Sequence, residues 1–416
     1  MRASESHPNF KPKLREYANY SVREIRKMCK DIGPRLCGSP EEEKAQAYVA
    51  DELKKCADKV DVEKFEVHPG SFYGWFTIAG VFGVIAVIAL NIGLAAATLS
   101  LCALAFVMLV GQFLFYKPIV DIFFKKKTSN NVSATRKASA ETKRHIIICG
   151  HIDSCPEWNF SYRGGRLLLF GGMGSALSGL IFVLAASIAA VAGGQAFETG
   201  GLSGAARVLG YISIAFVPSF IGMAFFTSRK LVVEGANDNL TGVFAAASVL
   251  KYLSDCGVRF EHTDVTCLST GGEEAGLRGA KAYAKQHKNE LDAVETLVIA
   301  VDTLKDYDDM AVMNYDMTFM VKNNFAAGAL VRKAGESADV DIKTSAVFVG
   351  ASDAAAFSEK KIPATALAAM NPGPPRYYHT RLDKPDILDI KTIEKGIEVL
   401  LETVFLFDED GLAKNI

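Results

Sequence analysis

His145-Ile146-Ile147-Ile148-Cys149-Gly150-His151-Ile152-Asp153-Ser154 is an apolar run that ends on a glycine, a histidine and an aspartate. Four consecutive apolar residues read as a strand buried on both faces, the kind found inside parallel sheets. Polar groups just past the C-terminal end of such a strand are where open α/β sheets place their sites. The same pattern recurs downstream. Thr263 to Ser269 is a strand leading into Gly272-Glu273-Glu274-Ala275-Gly276, and Thr296 to Val301 is a strand ending at Asp302. Ala364 to Leu367 is a short strand before Tyr378-His379-Thr380. Helical spacing lies between them, over Gly242 to Leu253 with Val243, Ala246, Ala247 and Leu250 inward, and over Leu277 to His287. Upstream, Ser39-Pro40-Glu41-Glu42 is a capping box opening a helix with Ala45, Val49 and Leu53 on one face. Val60 to Val67 alternates like a half-buried strand, and strands alternating with helices predict an α/β fold.

Five side chains stand out as candidate metal ligands: His151, Asp238 in Gly235-Ala236-Asn237-Asp238-Asn239, Glu274, Asp302 and His379. Two imidazoles and several carboxylates suit a borderline divalent ion such as zinc. Glu273 points away from its neighbour Glu274 in a turn or extended segment, so it is placed to act as a base beside the metal. The combination describes hydrolysis assisted by two ions. A Glu-Glu pair is ordinarily solvated surface, but Gly271-Gly272 and a hydrophobic strand lead into this one. His7, His68, His145, His262 and His287 carry no motif and read as surface or structural residues, and Cys155 reads as a bystander.

The order and wording of these motifs resemble peptidase family M28, the zinc exopeptidases that include bacterial aminopeptidases. Ile32-Gly33-Pro34-Arg35-Leu36-Cys37-Gly38-Ser39-Pro40 is similar to that family's opening segment, and Tyr378-His379-Thr380-Arg381-Leu382-Asp383 to its final histidine motif. The resemblance implies a mixed, mostly parallel sheet between helical layers. It also implies two zinc ions, other divalent metals fitting the same ligands. Asp238 would bridge them, with His151 and Asp302 on one and Glu274 and His379 on the other. It implies Glu273 as general base, Asp153 orienting His151 by accepting its other N–H, a cis peptide between Asp238 and Asn239, and a place near the pocket for Asp353. The implied activity is removal of N-terminal residues from peptides. Two rivals share these motifs: a glutaminyl cyclase-like acyltransferase with one zinc, and a non-catalytic membrane scaffold. The complete ligand set with its base argues against the scaffold. The rigid Asn371-Pro372-Gly373-Pro374-Pro375 loop is expected to shape the specificity pocket.

Two interruptions set this chain apart. No charge occurs from Ser71 to Tyr116, from Leu167 to Phe197, or from Val208 to Ser228. The first stretch is about twice one membrane span, with Asn91-Ile92-Gly93 as its turn. The other two form a second hairpin, Pro218 being tolerable in a membrane helix. Gly171, Ser175 and Gly179 make a small-residue stripe that allows close helix approach. Four transmembrane helices in two hairpins are therefore expected. The domain reading is 1–70 for the N-terminal part of the peptidase domain, 71–116 for hairpin one, 117–166 for the peptidase domain continued, 167–228 for hairpin two and 229–416 for the C-terminal part of the peptidase domain.

His151 precedes the second hairpin and Asp238 follows it, so a shared metal site requires an even number of crossings. Lys125-Lys126-Lys127, Arg163, Arg166 and Arg229-Lys230 flank the spans on the catalytic side, against Arg207 opposite. The positive-inside rule then turns the catalytic domain to the cytoplasm of a multi-pass cell-membrane protein. Eight cysteines without a Cys-x-x-Cys pair agree with a reducing compartment. The stretch through Lys30 is polar and charged, unlike a secretory signal. A net charge of −1 gives no electrostatic case for nucleic-acid binding. Peptide and lipid bilayer are the expected partners, and protein partners are not legible. Asn131-Val132-Ser133 fits a glycosylation acceptor but reads as part of a strand.

Overall fold

The computed structural model describes residues 2–412. They divide into two compact units. The first comprises the chain up to Pro69, Lys126–Cys155 and Val232 onward, and the second Gly70–Lys125 with Pro156–Leu231. Among the described residues the helices are α1 (Phe10–Asp31), α2 (Pro40–Leu53), α3 (Ser71–Asn91), α4 (Ala95–Met108), α5 (Asn159–Ala192), α6 (Gly204–Ser213), α7 (Val217–Met223), α8 (Leu240–Asp255), α9 (Arg278–Gln286), α10 (Lys288–Asp292), α11 (Phe325–Ser337), α12 (Asp353–Ser358) and α13 (Ile390–Asp410). The strands are β1 (Lys59–Val67), β2 (Lys127–Arg136), β3 (Arg144–His151), β4 (Pro156–Trp158), β5 (Thr227–Val232), β6 (Thr263–Thr270), β7 (Glu295–Leu304), β8 (Met310–Asp316), β9 (Val321–Lys322), β10 (Lys343–Ala346) and β11 (Ala364–Ala369).

The first unit is built on a nine-stranded sheet in the order β1-β2-β6-β3-β7-β11-β8-β10, with β9 paired to β8. Its centre, β6-β3-β7-β11, is parallel. Antiparallel pairs flank it at β1/β2, β2/β6 and β11/β8. Ile146, Ile147, Ile148 and Cys149 of β3 are all buried, as an unbroken apolar run in a central strand requires. Ile146 and Ile148 join the core made with α1, α2, α8, α11 and α13. Ile147 and Cys149 face the other side of the pleat, and α9 and α12 pack together there. This is the expected mixed, mostly parallel sheet between helical layers.

Several elements differ from the sequence reading. The charged stretch through Lys30 is helix α1, whose Phe10, Leu14, Tyr17, Ile25 and Met28 are buried. Their helical spacing carries the core contact although most of the remaining residues are polar. β8, β9, β10, α11 and α12 went unread because short or alanine-rich segments give weak periodicity, and α13 went unread although Ile393, Ile397, Leu400, Leu401 and Val404 recur at helical spacing.

The second unit contains four helical segments long and apolar enough to cross a membrane: Ser71–Asn91, Ala95–Leu114, Asn159–Ala192 and Gly204–Met223, with mean hydropathies of 2.0, 2.1, 2.2 and 1.5. The first hairpin turns where expected, with Gly93 at φ +89°. The third segment starts earlier than the charge-free stretch, so Arg163 and Arg166 ride on its first turns, before and after a break at Gly165. The fourth ends at Met223, and Thr227 already belongs to β5. Pro218 sits in the first turn of α7, after a 3-10 turn over Ile214–Phe216, where its missing N–H costs no helical bond. Within the stripe of small residues, Ser175 Oγ lies 2.7 Å from Ser219 Oγ. A Cβ on Gly179 would come within 2.8 Å of Phe216, whereas Gly171 faces open space. The units divide at Pro69, Lys126, Cys155 and Val232, so residues 117–125 and 156–166 group with the apolar helices rather than with the sheet.

Candidate active site

His151 is the last residue of β3, and Asp302 lies near the end of β7. The N-terminus of α8 packs directly on both strands. A Cβ on Gly150 would fall 2.6 Å from Gly242 C, and one on Gly242 would fall 2.3 Å from Val301 O. Only glycines at both places allow this approach, and it carries the preceding residue pair, Asp238-Asn239, to the strand ends. Asn239 caps α8 by accepting from Gly242 N (3.0 Å), and its Nδ2 donates to Val301 O (2.8 Å). The Asp238–Asn239 peptide is cis. Asp383 fixes the same loop, its carboxylate accepting from Asn237 N (2.7 Å) and Asp238 N (3.0 Å).

Asp238 is 3% exposed and faces both histidines. Its Oδ1 lies 3.1 Å from His151 Nε2 and its Oδ2 lies 3.0 Å from His379 Nε2. His379 Nε2 is also 3.1 Å from Glu274 Oε1, and Glu273 Oε2 lies 3.8 Å from His151 Nε2. Asp302 interacts electrostatically with Asp238 and His151. All five expected ligands and the expected base thus converge on one buried cluster. The backbone is held off its usual conformation at two points of it, with φ +52° at Thr303 and +55° at His379. Side-chain-bearing residues in that region cost about 1–3 kcal/mol and tend to mark functional sites.

The cluster carries more acid than its imidazoles balance. Burial pushes the Glu273 carboxyl well above the usual carboxylate range, and lifts Asp153 and Asp302 each to about 7. Asp238 is lowered instead, because the two histidines outweigh its burial. Asp302 Oδ1 is buried and receives no hydrogen bond, a cost of about 1–3 kcal/mol without a compensating partner. Crowded acids and lone pairs aimed inward are what a bound divalent cation compensates. Nitrogen and carboxylate donors of this kind fit zinc.

The Asp153 carboxylate has a different task from the one expected. His151 Nδ1 lies 3.1 Å from the Asp153 backbone carbonyl, and 3.7 Å from its carboxylate. The carboxylate accepts instead from Glu273 N (3.0 Å) and Glu274 N (3.1 Å). Gly272, at φ +61°, turns those two amides toward it. Glu42 supports the same loop from below. Ser39 Oγ caps α2 by accepting from Glu42 N, but the Glu42 carboxylate accepts from Gly38 N (2.6 Å), Ser129 Oγ (2.9 Å) and Gly272 N (3.3 Å).

Arg35 is the largest of the fully buried side chains, and the sequence reading left it without a role. It is fully buried, and its guanidinium donates to the carbonyls of Gly33, Ile152, Glu234 and Gly235 at 2.7–3.0 Å. It ties the loop after His151 to the loop before Asp238. Its signal was an arginine inside an otherwise uncharged Ile32–Pro40 segment. Thr270 Oγ1 donates to Asp353, which is 4% exposed beside the cluster. Cys155 lies at the cluster too, with its sulfur, a Glu274 oxygen and a His379 nitrogen all within 4.8 Å of one another. Residues without a motif are structural: His145 meets Thr266 Oγ1 at 2.7 Å, and His287 pairs with Glu63 at 2.8 Å. Asn131 is buried and bonded to Gly271 N and Gly279 O. A pocket of 640 Å³ is lined by Lys305, Arg376, Tyr377, Arg381 and Lys384, among others, and residues 371–375 are not part of its lining.

No curated protein sequence matches this chain. The fold is similar to that of a zinc aminopeptidase from Bacillus subtilis, at 14% identity, with a TM-score of 0.57 over 93% of this chain and 94% of that one. An aminopeptidase from Aneurinibacillus sp. strain AM-1 is similar at 16% identity, with a TM-score of 0.56 over 95% of each chain. A glutaminyl cyclase from an Acidobacteriales bacterium is similar at 12% identity, with a TM-score of 0.54 over 95% of this chain and 96% of that one. Residues 220–404 match the model of peptidase family M28, a stretch that takes in Asp238, Glu273, Glu274, Asp302 and His379, while His151 and Asp153 lie before it. Residues 220–404 are thus similar to peptidase family M28, and the fold is similar to that of zinc aminopeptidases.

Proposed function

We propose that the chain is a membrane-anchored di-zinc aminopeptidase that removes N-terminal residues from peptides, with its catalytic unit in the cytoplasm. The observation that carries this reading is Asp238, which offers one carboxylate oxygen to each histidine at 3.1 and 3.0 Å. A carboxylate placed in this way would suit being shared by two divalent ions. His151 and Asp302 would hold one ion, and Glu274 and His379 the other. Zinc bound there would polarise the scissile carbonyl and acidify its water.

The remaining work belongs to the protein. Glu273 takes the proton of the attacking water and delivers it to the leaving amine. Asp153 fixes Glu273 and Glu274 through their amides, and Asp383 and Asn239 fix Asp238. The α-helical hairpins anchor the unit and leave His151 and Asp238 on one side of the bilayer.

A second reading, glutaminyl cyclisation with one zinc, draws on the similar fold of the Acidobacteriales cyclase. Digesting a peptide library with purified protein, with and without chelator, tests the first reading. It expects chelator-sensitive release of N-terminal residues and two zinc ions per chain. One zinc with cyclisation of an N-terminal glutamine peptide would replace it by the second. For sidedness, a cysteine at Gly200 should react with an impermeant maleimide on intact cells, and one at Lys305 or Asn289 only after permeabilisation. Labelling at position 305 in intact cells would reverse the orientation.

A further inference from the structure

Basic side chains gather in the 640 Å³ pocket of the first unit. Lys305, Arg376, Arg381 and Lys384 line it, and Asp386 is the acid among its lining residues. The chain as a whole has a net charge of −1, so this is a local concentration. The pocket is built on the same segments as the metal cluster. Lys305 follows Asp302 by three residues, and Tyr377, also in the lining, precedes His379 by two. Asp383, between Arg381 and Lys384, fastens their segment to the cluster by accepting from Asn237 N and Asp238 N at 2.7 and 3.0 Å. Tyr377 is close enough to interact electrostatically with Asp238.

The cations of the pocket differ in freedom. Lys305 is held: its Nζ lies 3.1 Å from Asp306 Oδ1 and 4.7 Å from the centre of the Tyr377 ring, and its side chain is 23% exposed. Asp306 is fixed in turn, its Oδ2 accepting from the Tyr377 hydroxyl (2.7 Å) and from Asn371 N (3.3 Å). The Asn371–Pro375 loop therefore bears on the pocket through Asp306. An ammonium already ordered in this way loses little freedom on meeting an anion. Arg376, Arg381 and Lys384 are exposed, and a guanidinium presents the planar fork that matches a carboxylate. Asp306 balances Lys305, but the other three cations outnumber Asp386. A concave surface dominated by one sign of charge concentrates ligands of the opposite sign.

We propose that this pocket receives a carboxylate of the peptide substrate, so that the enzyme selects peptides presenting an acidic side chain or a free C-terminus close to the cleaved bond. The proposal rests on the aminopeptidase reading above and names its substrate class. Short peptides suffice as probes, since three extended residues span only about 10 Å.

The test measures kcat/KM of the full-length protein on alanine tripeptides carrying glutamate or glutamine at the first, second or third position, each with a free and an amidated C-terminus. The wild type should favour the carboxylate over its matching amide at one of these places by at least about tenfold, the worth of one charge-assisted hydrogen bond. The gain should lie in KM. Glutamate over glutamine among the amidated peptides assigns a side chain to the pocket, and free over amidated ends assigns the C-terminus. Lys384→Glu and Arg376→Glu should each bring the ratio to one or below, while Lys54→Glu, at the end of α2, should leave the wild-type ratio. Two pocket substitutions guard against one that fails to fold. A ratio near one for every pair in the wild type would overturn the proposal and leave the peptidase reading intact, because the peptides are cleaved. So would a preference that survives both charge reversals. Cleavage of no peptide in the set would bring down the aminopeptidase reading and the substrate class built on it.

Discussion

The two compact units handle charge in opposite ways. The first buries it, gathering Arg35, Asp153, Asp238, Glu274 and His379 in its interior and holding each with named partners. The second buries Glu157 outside its spans but keeps charge to the ends of four segments of mean hydropathy 1.5 or more, whose large apolar side chains such as Val81, Ile88 and Leu104 are about half exposed. Exposed aliphatic side chains in that number disfavour a water-facing surface and suit a lipid one. A single chain meets both demands because each interruption of the first unit leaves and re-enters it at neighbouring places in the fold. Charge is gathered inside one unit and kept away from the middle of the apolar helices of the other.

Removing charge should therefore damage the first unit most. Arg35→Ala strands four buried carbonyls and should cost about 3–5 kcal/mol, the range for breaking a buried charged network. The readout is faster hydrogen exchange of the β3 amides. Lysine should restore only part of it, lacking the planar fork. Unchanged protection would mean that Arg35 does not hold the loops together.

Adding charge should damage the second unit. Val81 is near the centre of Ser71–Asn91 and 48% exposed. Val81→Lys should disfavour insertion by about 2.5–3.5 kcal/mol, read as the fraction of chains that resist alkaline extraction from membranes. A water-facing helix would tolerate the lysine, and that tolerance would end the comparison.

A smaller effect is expected where the second unit does use a polar group. Asn91 Nδ2 donates to Val87 O (2.9 Å) and, across helices, to Gly210 O (3.0 Å). Asn91→Leu should cost about 0.6–2 kcal/mol, the scale of interhelical hydrogen bonds in bilayers, measured as a lowered melting temperature in detergent. No loss would assign helix association to packing alone.

The smallest effect lies at the surface of the first unit. Burial opposes protonation of His287, but its contacts with Glu63 and Glu290 prevail and raise its pKa. A raised folded-state pKa gives stability that is complete below the unfolded value, about 6.5, and lost as pH rises through the folded one. The pair is partly solvated, so less than about 1 kcal/mol is expected. His287→Gln should flatten the stability of the first unit across that window, and an unchanged pH dependence would remove the ion pair from the account.

The strands that end at the site were legible because each combines an apolar run with a polar terminus, as in Ile146–Cys149 before His151. The ligands were legible because their residue types are rare in such positions. What was not legible depends on distant segments meeting. Nothing local tells that the Asp153 carboxylate serves Glu273 and Glu274, 120 and 121 residues away, or that Glu42 leaves its own helix cap for Gly272. Arg35 was read only as part of the Ile32–Pro40 segment, because buried guanidinium groups are rare and only the fold supplies its four carbonyls. Cys155 was set aside for the same reason: its neighbours Glu274 and His379 are remote in sequence. In the second unit the spans were plain from missing charge, but their ends were not, since Arg163 and Arg166 lie on a helix that begins at Asn159.

The most direct test of the central claim compares Glu273→Gln with the wild type for zinc content and turnover of a peptide that the wild type cleaves. A base that touches substrate water but no metal predicts unchanged zinc and a loss of turnover of at least about 10²–10⁴-fold, with Glu274→Ala losing zinc instead. Full turnover by Glu273→Gln, or zinc lost with Glu273 and kept without Glu274, would contradict it.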